Sequence, residues 1–185
     1  MKQQLINVST KQGDKGQTGL ANGQRLDKDS PFFAAIGDLD ELNSWLGLII
    51  TKFDHQFADY QQVLYRIQDS LFYLGAELAL SSKTKLQSKT VKWLETQSFV
   101  LQQQMAAGWH RQFLLPGGTE LGGWLDIART VCRRAERSIV ALGKQTKVRP
   151  VVLSYLNRLS DYLYVLRCYV NHQLCYQEKK FQIED

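Results

Sequence analysis

The chain has 185 residues, 44% of them hydrophobic and 22% charged, with a formal net charge of +5 at neutral pH. That is an ordinary globular balance, and the length suits one domain, 1–185, able to bury a core without disulfides or a structural metal. The excess positive charge is mild and mostly dispersed. It argues against nucleic-acid binding, which shows a dense basic patch and a reading motif.

In chain order, residues 1–30 are polar and rich in glycine, with Gly13, Gly16, Gly19 and Gly23. They read as an irregular, partly extended loop. The stretch has neither an apolar signal core nor an arginine-rich transit pattern. A helix is predicted next, with Ser30 as N-cap and Pro31 at its first position. Phe32, Ile36, Leu39, Leu42, Leu46 and Ile49 recur there at steps of three or four. A second helix carries Tyr60, Val63, Leu64, Ile67, Leu71, Leu74 and Leu78. A third, weaker one carries Val91, Leu94, Leu101 and Met105. The loop FLLPGGT follows, turned by Pro116, Gly117 and Gly118. A fourth helix carries Leu121, Leu125, Ala128, Cys132, Ala135, Ile139 and Leu142, and a last one runs from Pro150 through Leu156, Leu163 and Val170.

Helices joined by modest loops predict an all-α bundle of antiparallel neighbours over residues 31–176, with a tail at 177–185. The period-two alternation of a sheet is missing. The apolar run at 46–50 is far too short to span a bilayer, so no membrane partner is expected. Cys132, Cys168 and Cys175 are odd in number and lack metal-type spacing, a pattern that favours reduced thiols in a cytoplasmic protein.

Four stretches carry chemistry. In TKQGDKGQTGL, Thr10 to Leu20, glycines let backbone N–H groups approach a phosphate, and Lys11, Lys15 and Thr18 add donors. The stretch is neither a Walker A loop nor a dinucleotide fingerprint, and an ordinary flexible loop reads the same way. In ARTVCRRAERS, Arg129, Arg133 and Arg137 lie at steps of four on one stripe, flanked by Arg134 and Glu136. Guanidinium groups so placed repel one another unless an anion or nearby carboxylates sit among them. A solvated basic face and a triphosphate clamp both fit. In GDLDELN, Asp38, Asp40 and Glu41 are a wet helix face, a Mg²⁺ ligand set or partners for the arginines. In YLNRLSDYL, Asn157 and Asp161 lie one turn apart with Arg158 and Ser160 between them, which suggests a ligand or subunit contact. A ferritin-type di-metal centre needs Glu-x-x-His pairs. None of His55, His110 and His172 lies three residues after a Glu.

Taken in order, TKQGDKGQTGL with Lys28 after it, GDLDELNSWLG, FLLPGGTE, ARTVCRRAERSIV and YLNRLSDYLYVL resemble the PduO-type ATP:cob(I)alamin adenosyltransferases over nearly the whole chain. The resemblance implies a five-helix, ferritin-like up-down bundle that forms a homotrimer with active sites between subunits. It implies transfer of the 5′-deoxyadenosyl group of ATP, bound with Mg²⁺, to cob(I)alamin or a related corrinoid. Carried over by position, the ATP contacts are Thr10, Lys11, Gln12, Gly13, Thr18, Gly19 and Lys28 on the loop, and Arg133, Arg134, Glu136, Arg137 and Asn157 on the helices. Mg²⁺ is held mainly by the ATP phosphates. Asp40 and Arg129 match an intersubunit salt bridge. Phe113 matches an aromatic residue that lies under the corrin and helps exclude its lower axial ligand, so Arg133 and Phe113 are the residues closest to the chemistry. A corrinoid reductase and a B12-dependent enzyme are the implied partners.

The chain departs from the family pattern at Asp126, where a histidine is usual, and at Phe32, where a basic residue is common. The competing reading is a trimeric ATP or corrinoid carrier with weak or no catalysis. A helical interaction module without a ligand is the third.

Overall fold

The computed structural model describes residues 9, 11–83, 85–109 and 111–182. Thr10 and His110 therefore lie outside the described residues. Five helices make up most of the chain: α1 Pro31–Ile50, α2 Ala58–Leu78, α3 Ser88–Gln103, α4 Glu120–Leu142 and α5 Pro150–Gln173. Ahead of them, β1 Gln17–Gly19 and β2 Arg25–Asp27 pair antiparallel, with Thr18 opposite Leu26. The expected irregular N-terminal loop is thus in part a short hairpin. Its turn supplies pairing that alternation of apolar residues could not signal over three-residue strands.

Local chemistry sets the helix ends. Ser30 Oγ accepts the Phe32 N–H at 3.3 Å, and Pro31 occupies the first turn of α1, where its missing N–H costs nothing. Thr119 caps α4 by accepting from Gly122 N at 3.0 Å. Cys175 takes the left-handed conformation after α5, with φ of 55°, and turns the chain back into the tail.

Apolar residues at helical spacing meet along the bundle axis. On α4, Leu125, Ala128, Cys132, Ala135, Ile139 and Leu142 are fully buried. On α5, Tyr155, Leu156, Leu159, Tyr162, Leu163 and Leu166 are too, and this helix is buried nearly all round, as the central member of a bundle must be. Burial pushes the Tyr155 and Tyr162 hydroxyls far above their ordinary pKa.

Cross-helix contacts fix the directions. Gln68 donates to Asn43 O and Gln61 to Ile50 O, so α1 and α2 are antiparallel. Ser138 donates to Asp38 while Arg134 reaches Glu41, so α4 also opposes α1. Asn157 faces Glu136 and Arg167 faces Asp126, so α5 opposes α4. Tyr60 meets Gln104, and Arg66 lies 4.0 Å over the Trp93 ring, so α3 opposes α2. The arrangement is the expected up-down bundle.

It follows that one end of the bundle gathers the start of α1, the end of α2 and the start of α5. The hairpin is fastened there, with Ala21 N donating to Ala79 O at 2.8 Å and Leu20 buried. Residues 104–109, 111–119 and 174–182 lie at the other end. The twenty residues of α1 span about 30 Å between them.

At the hairpin end, Arg149 makes two hydrogen bonds of 2.5 Å to Glu77 and a third, of 2.8 Å, to Leu86 O. Burial alone would raise the Glu77 pKa, but the hydrogen bonds from Arg149 and Leu86 N outweigh it and hold it below its ordinary 4.5. A carboxyl whose folded pKa is depressed adds stability above its unfolded pKa and loses it as pH falls through the folded value. Glu77→Gln is therefore expected to lower Tm at pH 7 by about 3–6 °C, for roughly 1–2 kcal/mol in a partly screened pair. The gap to the wild type should close as pH falls below about 4.5. A gap independent of pH in thermal melts would contradict the pairing.

Candidate active site

Two clusters of the expected residues stand on α4 and on the hairpin loop. Residues 133 and 137 lie one turn apart, while residue 134 is rotated about 100° from residue 133. Arg133 and Arg137 are exposed, and neither makes an ion pair with a described carboxylate. Glu136 is half-buried beside Asn157 on α5, with Asn157 Nδ2 3.5 Å from Glu136 Oε1. Arg133 and Arg137 thus lie on the surface of α4 within one turn of Glu136, whose carboxylate meets Asn157 of α5.

Arg134 stands apart. Its Nε is 3.1 Å from Asp38 Oδ1, and its Nη2 bonds Glu41. Asp38 also accepts from Ser138 at 2.5 Å. Of the three acids in GDLDELN, two are thus engaged with an arginine of α4, and Asp40 is exposed. Arg129 bonds Asp126 at 3.0 Å within the chain. Arg158 pairs with Asp161 at 3.0 Å and also bonds Asn157, which orients the amide beside Glu136.

In the loop, Lys28 N donates to Gly16 O at 2.8 Å, and Arg25 bonds Gln12 O at 2.7 Å and Gln17 O at 3.1 Å. Lys11 holds a left-handed φ of 56°. A Cβ built on Gly13 would lie 3.2 Å from Lys28 Nζ, so a glycine there lets the ammonium approach the backbone. The fold therefore brings Lys11, Gln12, Gly13 and Lys28 into one cationic loop, with Thr18 half-buried and Gly19 exposed on β1. Among the described residues, no group of three or more His, Cys, Asp or Glu could hold a metal ion.

Phe113 is 85% exposed, at the opposite end of the bundle from this loop. Its segment is held by contacts that no spacing in the sequence announces. Phe181 N donates to Phe113 O and Leu115 N to Lys179 O, each at 2.8 Å, with Leu114 opposite Lys180. Residues 179–181 of the tail thus run antiparallel beside the loop, joined to it by a single bridge. Behind it Arg167, 1% exposed, donates to Asp126, Glu178, Leu115 O and Gly117 O. Burial opposes its charge, but contacts with Cys168, Glu178 and Asp126 outweigh that and raise its pKa. Asp126 accepts from Gly117 N at 2.8 Å, and Asn171 bonds Gly117 O, Thr119 and Glu178. Gly118 has φ of 111°, and a Cβ there would fall 2.2 Å from Asn171 Nδ2, so only glycine fits.

The family model described as cobalamin adenosyltransferase matches residues 8–170. The chain belongs to the cobalamin adenosyltransferase family. Among relatives in this family, a cobalamin adenosyltransferase from Cupriavidus metallidurans is 41% identical, over 92% of this chain and 91% of that protein. A corrinoid adenosyltransferase from Bacillus subtilis is 44% identical, over 90% and 87%. A PduO-type ATP:corrinoid adenosyltransferase from Lactobacillus reuteri, solved as a phenylalanine-to-histidine variant complexed with cobalamin and ATP, matches with a TM-score of 0.89 and 35% identity, over 95% of this chain and 97% of that one. An arginine-to-lysine variant complexed with ATP matches with a TM-score of 0.87. Among the described residues of this adenosyltransferase, no helix is long and apolar enough to cross a membrane.

The different partners of Arg133 and Arg134 separate their roles by stability alone. Arg134→Ala is expected to lower Tm by about 2–4 °C, for about 1 kcal/mol in a tie half open to solvent. Arg133→Ala should leave Tm within about 1 °C, as is usual for a surface side chain without such ties. Thermal melts of the two variants check this, and equal losses would contradict it.

Proposed function

We propose that the chain transfers the 5′-deoxyadenosyl group of ATP to the cobalt of a reduced corrinoid, in sites shared between copies of the chain. The observation that carries this reading is the surface of α4, where Arg133 and Arg137 have no described carboxylate partner beside the Glu136 and Asn157 pair. Guanidinium groups in that state suit a triphosphate, and the Glu136–Asn157 pair suits the nucleoside. Arg134 would reach a phosphate only by releasing Asp38 or Glu41.

The reaction asks little covalent chemistry of the protein. The cobalt(I) electron pair forms the Co–C bond to C5′, the C5′–O bond breaks, and triphosphate leaves with the bonding pair. The protein's part is to hold C5′ in line with cobalt and to stabilise the charge gathering on the leaving group. Arg133, Arg137, Lys11 and Lys28 supply the cations. Phe113, an exposed apolar ring, covers the lower face of the corrin and keeps water and other ligands from the cobalt. Mg²⁺ enters on the nucleotide, held mainly by its phosphates.

Loop and Phe113 lie about 30 Å apart in one chain, so a complete site needs the loop of one copy and the helical face of another. A homotrimer is the assembly this reading implies, with Asp40 of one copy meeting Arg129 of the next. Asp126 already holds Arg129 within the chain, so Asp40 would join an existing pair.

An anaerobic assay with chemically reduced cobalamin and MgATP tests the reaction, and a light-sensitive Co–C product with release of triphosphate is expected. Arg133→Ala should weaken ATP binding about tenfold or more, the worth of a charged hydrogen bond. Retained ATP binding without product in the wild type would favour a carrier.

Sharing of the site has its own test. Lys28→Ala and Arg133→Ala are each expected to lose most activity. Mixed after unfolding and joint refolding, they should regain part of it, because some sites then pair an intact loop with an intact helix. No recovery in co-assembled protein would place the whole site in one chain.

A further inference from the structure

We propose that a cavity behind the Phe113 strand receives the lower nucleotide tail of the corrinoid, its base and phosphodiester, once the base has left cobalt. This rests on the corrinoid reading above and names a subsite for it. Residues 113–115 run extended beside the tail, so their side chains alternate between two faces. Phe113 and Leu115 are 85% and 44% exposed on one face. Leu114 and its bridge partner Lys180 line a cavity of about 630 Å³ on the other. That volume falls within the usual range of small-molecule sites. The cavity is therefore one strand away from the ring proposed to replace the base under the corrin.

Its lining has three parts. Trp109, Leu114 and Tyr176 give flat, apolar walls suited to an aromatic heterocycle. Arg111 and Lys180 are exposed at its edge and make no ion pair with a described residue, which suits one phosphodiester anion. Glu178 gives the third part. Its Oε1 accepts from Arg167 at 2.6 Å and from Asn171 at 3.0 Å, but its Oε2 is buried with no partner among the described residues. A carboxylate oxygen without a donor is costly, and a ligand N–H relieves that cost once the partly exposed carboxylate turns Oε2 toward the cavity. A benzimidazole released from cobalt has a free ring nitrogen. That nitrogen takes a proton from solvent and donates it in a hydrogen bond to Oε2, while the phosphodiester meets Arg111 and Lys180. Held there, the base stays off the cobalt and Phe113 keeps the lower face.

The test compares cobalamin with cobinamide, a corrinoid that lacks the base and its phosphodiester. Glu178→Gln keeps an oxygen for Arg167 and Asn171 and replaces the orphaned acceptor with an N–H donor. Dissociation constants are read by spectroscopic titration of the two cobalt(II) corrinoids into protein loaded with MgATP. Glu178→Gln is expected to weaken cobalamin about tenfold and cobinamide by less than about twofold. Arg111→Ala, at an exposed position, should act in the same direction by about threefold. Equal weakening of both corrinoids by Glu178→Gln would overturn the subsite, because Glu178 would then serve the corrin ring or the scaffold. No weakening of either by both variants would overturn it as well. Wild-type protein that bound neither corrinoid would overturn the corrinoid reading together with this inference.

Discussion

A single buried guanidinium organises the end of the bundle that carries Phe113. Arg167 is almost wholly removed from water, and a charge so placed is tolerable only when its donors are met. Nε meets Asp126 on α4, one terminal nitrogen meets Glu178 on the tail, and the other meets the carbonyls of Leu115 and Gly117. These partners come from a helix, a loop and the C-terminal segment. Satisfying the charge therefore fixes the loop on α4 and draws the tail against it. Phe113 is not itself packed, being mostly exposed, so its place depends on this frame and on the ladder to residues 179–181. Asp126 belongs to the frame. A carboxylate there pairs with Arg129 on one side and Arg167 on the other, which gives Asp126 a physical role in this chain.

The other constraint is length. Antiparallel helices of about twenty residues place their two ends about 30 Å apart. The hairpin is tied to the end of α2 at Ala79, and the Phe113 segment is tied to the tail that follows α5 and to Arg167 on α5. No side chain spans that gap. On the proposed reading, the loop and the Phe113 segment are two half-sites at opposite ends, with the arginines of α4 between them. Association of copies is the economical way to join the halves without lengthening any loop.

Much of this was legible in the sequence, because the helices obey a simple period. Leu39, Leu42, Leu46 and Ile49, or Leu125, Ala128, Cys132 and Ala135, mark a core face by spacing alone, and all are buried. Ser30 and Pro31 marked the start of α1 by capping chemistry. Met105, read into the third helix, lies beyond its end, since the period continues a little past the last hydrogen-bonded turn. The hairpin was missed because three-residue strands show no alternation. The Arg167 network was missed for a different reason. Asp126, Arg167 and Glu178 are far apart in sequence, and a lone arginine in an apolar helix does not announce its partners. The uncommon sight of an arginine amid Leu163, Leu166 and Val170 was the one signal, since a charge at a buried position requires a counter-charge.

The arginines of α4 show why sequence alone left two readings open. Five basic or acidic groups within nine residues look alike on a helical wheel. Their partners distinguish them. Arg129 is answered by Asp126 and Arg134 by Asp38 and Glu41, so half of the helix's arginine charge is neutralised within the chain. Among the described residues, Arg133 and Arg137 have no such carboxylate. Like charges one turn apart destabilise a helix modestly, a cost that the two neighbouring ion pairs and the packed face of α4 can offset. The helix therefore holds two uncompensated guanidinium groups at a spacing set by one turn, on a rigid, buried scaffold, without carrying the repulsion of all four. A solvated basic face would have no reason to neutralise alternate members so unevenly, whereas a site for a polyanion requires that the charges left over lie together on one stripe.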